Sequence, residues 1–482
     1  VIIREIEVRA IGRARRHAAI SVAGAALLSR LVGIWRRPIW FDELFTLWIS
    51  RQPPARVLHA LRIDSGPPLF YFLDAPFVRL GEIVSIDATA RLLPFAAVAA
   101  IFVAASRPET SAGLRFVVLI ATAPLLFFYS GEARAYGPMA ALGFLLFLSI
   151  FRFRSRGLAL GGAVLAAGLL PWTHYLGVIV VAGSILLCLV RRRQRLALAQ
   201  LAAVLPFAAW LPVALRQPAA GISWSDERWL RSLSGALGAL ASWPRIPPYF
   251  SQLDLPRPWA GAILGAAITL ASIVVARKRS DVRDALLFAG IPLGLAAAAG
   301  VFQPVYFTGR TEMMTLPVAL WAFARAARTS AVVAWLAAAA ATIGMILIAS
   351  ALLMPPAMPP YALTAAGISG KARIGDLVVA SDADYLPLRL AADRGALQAP
   401  LVGIPSPIER HPGWFEPGEL AAPETETARL SAAMERAGSH GRTFFAVPPD
   451  PAPRALVLGL LRGGRARIVS FPGADPVLVL DR

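Results

Sequence analysis

Arg13-Ala14-Arg15-Arg16-His17 leads into the apolar run Ala18–Trp35, and a few residues later comes Trp40-Phe41-Asp42-Glu43-Leu44-Phe45-Thr46. The run approaches the length that crosses a bilayer and has no persuasive small-residue cleavage site, so it reads as an uncleaved first transmembrane helix. Two adjacent carboxylates just beyond a membrane exit are costly if they face lipid. They are therefore either part of a wet loop or part of a working site.

Composition extends the membrane reading to the rest of the chain. Of 482 residues 57% are hydrophobic and mean hydropathy is +0.61, too apolar for a soluble protein of this length. The net charge of +19 is unevenly placed: residues 355–482 hold 13 basic and 13 acidic residues, so the whole excess lies before them. There the arginines stand in short clusters between apolar runs, which is the positive-inside pattern and not a nucleic-acid stripe. Lys278 and Lys371 are the only lysines, and so much arginine and alanine fits a GC-rich bacterial genome. Cys188 is the only cysteine, which excludes an intramolecular disulfide and argues against a cysteine metal centre.

Further apolar runs fall near 89–106, 112–129, 136–151, 157–173, 175–190, 196–215, 258–276, 284–302, 313–326 and 330–353. The N-terminal arginines, Arg107, Arg152/Arg154/Arg156, Arg191–Arg193, Arg277–Arg279 and Arg325/Arg328 mark every second connection. The charge rule places these in the cytoplasm, giving about eleven spans, a cytoplasmic amino terminus and an external carboxyl terminus. Two domains are expected: a transmembrane domain over 1–354, whose first external loop 36–88 carries the acidic pair, and an extracytoplasmic α/β domain over 355–482. In the latter, Asp376–Ala380, Arg442–Val447, Ala466–Ser470 and Pro476–Leu480 read as strands, while Thr427–Ala437 and Arg454–Arg462 have helical periodicity. Gly463-Gly464 is only a turn signal, and there is no internal repeat or glycine-rich phosphate loop.

The alternate connections, all on the outer side, collect the unusual polar and aromatic residues. After Asp42-Glu43 comes the turn Asp64-Ser65-Gly66-Pro67-Pro68-Leu69-Phe70-Tyr71, entering an amphipathic segment. Then come Ser130-Gly131-Glu132-Ala133-Arg134-Ala135-Tyr136, Thr173-His174-Tyr175, a loop of about 216–257, and Gln303–Glu312 with Tyr306 and Arg310. If helical, Glu132 and Tyr136 share a face, leaving Arg134 to grip a phosphate through two hydrogen bonds. The alternatives are bland: a Glu132–Arg134 surface pair, a hydrogen-bonded structural His174, and interfacial anchoring by Trp40, Phe41, Phe45 and Trp48. Arg310 lies away from the basic clusters, which favours an anion-binding role. His411 and His440 have no clustered partners, so no zinc site is read there.

Taken in order, these segments resemble the C-type (GT-C) glycosyltransferases that use polyprenyl-phosphate sugars, specifically the bacterial relatives of protein O-mannosyltransferases and aminoarabinose transferases. The resemblance spans about residues 17–330. It rests on Phe41-Asp42-Glu43 with Thr46, Pro67-Pro68-Leu69-Phe70-Tyr71, Tyr129–Tyr136 against the family's S-Q-E-A-R-x-Y, Thr173-His174-Tyr175, and Arg310. Gly66 stands where the family often has histidine, Gly131 where it has glutamine, and Thr311 where a tyrosine often follows the late arginine.

The resemblance implies an inverting transferase, a GT-C-like polytopic helical membrane protein in the bacterial inner membrane. Its donor would be a polyprenyl-phosphate sugar, and its acceptor an envelope glycan, lipid or protein. Asp42 would be the general base, and Glu43 would orient the acceptor or help hold a divalent ion such as Mg or Mn. Arg134 and Arg310 would bind the donor phosphate, with Asp64, Tyr71, Glu132, Tyr136, His174 and Tyr175 lining the site and membrane lipid around it. The rival readings are a flippase for lipid-linked glycans and a non-catalytic envelope scaffold. A transporter would more often show mid-membrane charges and inverted repeats.

Overall fold

Proline decides where the apolar runs are continuous helices and where they break. In the computed structural model, residues 2–64, 66–107, 112–217, 229–241, 258–302, 305–355, 358–412, 417–437, 441–446 and 465–481 are described. The chain divides into two compact units. One holds Val1–Arg37, Gly66–Arg216 and Ile222–Pro356; the other holds Pro38–Ser65, Gln217–Gly221 and Ala357–Arg482.

The first unit is helical. Ala14–Arg36, Asp87–Ser106, Trp259–Ala276, Ser280–Ala299 and Ala331–Leu353 are long and apolar enough to cross a membrane. Tyr136–Phe151, Leu176–Val190, Gln194–Ala209 and Leu316–Ala326 are shorter apolar helices. Leu28, Val103, Leu189, Val274 and Trp335 remain exposed on these helices, a pattern that lipid solvates and water does not. The interior is aromatic: Phe147 meets Trp321 at 5.2 Å and Phe288 at 5.6 Å between ring centres.

Two expected single spans are broken. Over 112–129 the chain forms Leu114–Thr122 and then Pro124–Ser130. Pro124 has no N–H to give the carbonyl of Ile120 four residues back. The buried Arg30 supplies the missing donor, with one guanidinium nitrogen 2.9 Å from the Ile120 carbonyl and contacts of 3.3 Å to that of Ala121. Over 196–215 Pro206 and Pro212 divide the run into Gln194–Val204, a 3-10 turn Leu205–Ala209 and the short Leu211–Ala214. The run expected at 313–326 begins as a 3-10 turn, Thr311–Met314, before Leu316–Ala326.

Arginines close other helix ends. Arg91, 1% exposed, donates to the carbonyls of Ile34 and Arg37, the last turn of Ile2–Arg36. Arg37 donates to Phe128 at 3.2 Å and to Gly131, at the end of Pro124–Ser130. Each satisfies carbonyls that a helix terminus leaves without partners.

In the second unit, the segment 38–65 contributes the helices Phe41–Ser50 and Pro54–Ala60. Its sheet has the order β2-β1-β3-β5-β4, with β1 Leu377–Ser381, β2 Leu401–Ile404, β3 Arg442–Ala446, β4 Arg465–Val469 and β5 Val477–Asp481. β1 runs parallel to β2 and β3, while β5 is antiparallel to β3 and β4. Strand side chains alternate between faces. Val378, Ala380 and Phe444 therefore pack with Ala365, Ile368 and Leu388 of the helices Pro360–Lys371 and Asp382–Asp393. Leu377, Val379 and Phe445 pack with Leu430 and Ala433 of the opposite helix, Pro423–Arg436.

All four strands expected from the sequence are present, and so is the helix expected over 427–437. β2 and the helices 360–371 and 382–393 were not expected. The Arg454–Arg462 helix, Gly463-Gly464, Val447, His440 and most of the 216–257 loop lie outside the described residues; within that loop Trp229–Leu240 is helical.

Candidate functional site

Residues singled out by the sequence fall in both units. In the second unit Asp42 and Glu43 occupy the first turn of Phe41–Ser50, where helix amides favour negative charge. Glu43 is buried, and its carboxylate accepts the Trp40 backbone N–H at 3.3 Å, a capping-box contact that fixes the start of the helix. Asp42 is half-buried, and its backbone carbonyl accepts the Thr46 hydroxyl at 3.1 Å. The Asp42 carboxylate is thus set at a helix amino end by a neighbour that does the capping.

Two residues beside this helix escaped sequence reasoning. Tyr361 lies edge-on to Phe41 at 6.3 Å and hydrogen-bonds the Phe41 backbone. Burial, together with the nearby charges of Asp42 and Glu43, pushes its phenol well above the usual range. His411, buried, packs on Phe45 at 5.2 Å and Trp48 at 5.5 Å. These rings are therefore part of a packed interior and do not serve only as interfacial anchors. Asp64, also in this unit, is buried. Local sequence held no signal for either contact, since both bridge more than 300 residues.

The first unit gathers most of the remaining residues. Pro124–Ser130 ends at Gly131, and the next helix begins at Tyr136, so 131–135 form a turn. The helical arrangement that would have aligned Glu132 with Tyr136 is not formed. At Gly131 a Cβ would lie 2.5 Å from the Arg37 guanidinium that caps the helix, so glycine leaves room for that cap. Within the turn Glu132 is buried and Arg134 half-buried. Tyr136 meets Tyr129 at 4.7 Å and His174 at 5.2 Å.

Arg310 enters from the connection before Leu316–Ala326, its guanidinium 5.9 Å from the centre of the Tyr136 ring. Gly143 allows this approach, because its backbone abuts the Met314 carbonyl where a Cβ would lie 2.4 Å away. Glu312, fully buried and not singled out from the sequence, accepts the Tyr306 hydroxyl at 2.9 Å and the Gly309 amide at 2.7 Å. Thr311 is buried, and its hydroxyl accepts the Phe307 amide at 2.9 Å.

Arg134 and Arg310 both act on His174. Burial, then Arg134 and Arg310, push its imidazole down to about 3. Its Nδ1 accepts the Leu176 amide at 3.1 Å, so the neutral ring carries its proton on Nε2. The cluster thus couples two guanidiniums, a neutral histidine and a tilted tyrosine pair with the buried Glu132 and Glu312. Guanidiniums can hydrogen-bond an oxyanion, here shared with the two buried carboxylates, while the neutral histidine can donate a hydrogen bond without carrying charge. Tyr175 accepts from the Trp210 indole at 3.0 Å and faces Phe207, while Tyr71 is buried against Phe70.

Among the described residues no three His, Cys, Asp or Glu side chains gather as metal ligands. If Mg or Mn were held here, Asp42 and Glu43 would offer the carboxylate oxygens, one Glu43 oxygen already accepting the Trp40 amide, and the donor phosphate would have to supply the rest.

No family model matches the sequence, and no curated protein matches it. Among solved structures, the chain is similar to the crystal structure of ArnT from Cupriavidus metallidurans in the apo state. The two share 14% identity over 96% of this chain and 97% of that one, with a TM-score of 0.60. The structure of ArnT from the same organism bound to undecaprenyl phosphate matches over the same shares at 14% identity, with a TM-score of 0.46, too weak a likeness to argue from. The chain therefore has the polytopic helical fold of ArnT, with a small α/β region at its carboxyl end. This is the fold implied by the GT-C resemblance.

Proposed function

We propose that the chain is an integral-membrane glycosyltransferase that moves a sugar from a polyprenyl-phosphate donor to an envelope glycan, lipid or protein. The reading places the chemistry on the outer face of the bacterial inner membrane, with about eleven crossings and a cytoplasmic amino terminus. The observation that carries it is the convergence of Arg134 and Arg310 on the Tyr136–His174 pair, in connections that the charge rule puts outside. The shared ArnT fold supports the same class.

In this mechanism the acceptor hydroxyl attacks the anomeric carbon as the bond from that carbon to the phosphate oxygen breaks. The hydroxyl proton passes to Asp42, and the polyprenyl phosphate leaves with the bonding pair. The leaving group is already anionic, so it needs positive charge more than an acid, and Arg134 and Arg310 supply it. Glu43 fixes the helix that presents Asp42. Neutral His174 holds its Nε2 proton for a hydrogen bond without taking up charge.

The test is transfer in vitro with purified protein in lipid. Radiolabelled polyprenyl-phosphate mannose and arabinose serve as donors and an envelope extract as acceptor, comparing wild type with Asp42→Asn. Wild type transfers label, and the folded variant is slowed by roughly 10²–10⁴-fold, the usual contribution of a general base. Transfer unchanged by the substitution removes Asp42 from the mechanism. If wild type consumes no donor, with or without divalent metal, the flippase and scaffold readings take its place.

A further inference from the structure

The arginine-rich face of the first unit holds a cavity that plays no part in this chemistry. It measures about 610 Å³, within the range of small-molecule sites. Its rim brings together arginines from three separate stretches: Arg15 and Arg16 before the first span, Arg115 after the 106–114 connection, and Arg328 between Leu316–Ala326 and Ala331–Leu353. Among the described residues no acidic side chain lines it.

The positive-inside rule requires only that such arginines face water. Two observations go beyond that requirement. Elsewhere on this face three arginines are neutralised: Arg279 and Arg325 bind Asp281 at 2.9 and 2.6 Å, and Arg191 pairs with Asp284. Among the described residues none of the four rim arginines makes an ion pair, and burial, then the charges of Arg325, Arg279, Arg115 and Arg15, lower the pKa of Arg328.

The second observation is the wall below the rim. Ala334, Ala337, Ala338 and Ala341 repeat at i, i+3, i+4 and i+7, so one face of the helix Ala331–Leu353 is made of methyl groups. Small-residue faces usually let helices close against each other; here the space stays open. Gly113, at φ +86°, turns the chain so that the amino end of Leu114–Thr122 also meets the cavity, adding helix amides to the guanidiniums.

A positive rim above a smooth apolar trough matches one class of molecule. We propose that this cavity binds an anionic glycerophospholipid of the inner leaflet, its phosphodiester among Arg15, Arg16, Arg115 and Arg328 and an acyl chain along the alanine face. Basic pockets between helices on the cytoplasmic side are suited to such headgroups.

The test uses the full chain in zwitterionic detergent, with lipid retention read by native mass spectrometry. The probes are dioleoyl phosphatidylglycerol, dioleoyl phosphatidylcholine and free glycerol phosphate. Wild type retains phosphatidylglycerol in preference to phosphatidylcholine, and free glycerol phosphate at equal concentration does not displace it. Arg115→Gln with Arg328→Gln weakens phosphatidylglycerol retention about tenfold or more, as two lost surface charges should. Arg156→Gln with Arg195→Gln, on the same face but outside the cavity, leaves retention within about twofold. Ala341→Leu fills the trough without touching a charge and also expels the lipid, so the proposal stays testable if the glutamine pair folds poorly. Equal retention of the two lipids by wild type, or equal losses in the rim and control pairs, overturns it.

Discussion

The contact between Arg30 and the break at Pro124 lends itself to a double-mutant cycle. Arg30→Met keeps an apolar side chain of similar reach but withdraws the donors from Ile120 and Ala121. A buried carbonyl left without a partner costs about 1–3 kcal/mol, and the gain from no longer burying a guanidinium offsets part of two such losses. The expected net destabilisation is about 2–3 kcal/mol. Pro124→Ala changes little alone, since Arg30 already serves the Ile120 carbonyl. In the Arg30→Met background it restores the amide that the Ile120 carbonyl lacks. The double variant should therefore recover at least about 1 kcal/mol relative to the sum of the single effects, as contacting residues do. Reversible unfolding in mixed micelles measures all four corners. If the two effects simply add, Arg30 is not standing in for the missing proline amide, and the account of the break fails.

Other expectations follow from the same contacts. His174, held neutral down to about 3 against an ordinary value near 6.5, binds a proton more readily when unfolded. Stability should therefore fall as pH drops from about 6.5 towards 3, by at most about 1.4 kcal/mol per pH unit, and His174→Gln should flatten that part of a melting-temperature profile. Arg134→Lys and Arg310→Lys keep charge but lose the planar fork; transfer assays should show each slowed by about tenfold, with Arg→Ala slower still. A donor-transfer rate unchanged by Arg310→Ala would remove it from the phosphate role. Gly131→Gln forces the Arg37 guanidinium aside. It should lower the melting midpoint by an amount matching about 1–2 kcal/mol, and Arg37→Ala should abolish most of that difference.

The sequence revealed the membrane class, the sequential pattern of apolar runs and the strands of the α/β region, because these follow from hydropathy and period. Breaks at Pro124, Pro206 and Pro212 were missed because a hydropathy window averages over a single proline while the backbone cannot. β2 was missed for another reason: Leu401–Ile404 is four residues long, contains Gly403 and is flanked by Pro400 and Pro405, so only pairing with β1 makes it a strand. Tyr136, His174 and Arg310 were readable as unusual residues at helix ends, and the fold brings them together. Glu312 was legible only as an acid beside an apolar run; its burial depends on Tyr306 and Gly309. Tyr361 and His411 could not be tied to the acidic helix by any local pattern.

That last pairing has a consequence for synthesis. Phe45 and Trp48 leave the ribosome about 370 residues before His411, roughly 20–70 s at ordinary elongation rates. Through that interval the helix carrying Asp42 has its aromatic face made but its partner not yet translated. The acidic segment therefore reaches its final packing among the last steps of biogenesis, and a chain truncated before His411 would carry the carboxylates without the ring that Phe45 and Trp48 pack against. Premature termination or proteolytic loss of the tail would then act directly on the acidic helix, some 300 residues upstream of the cut.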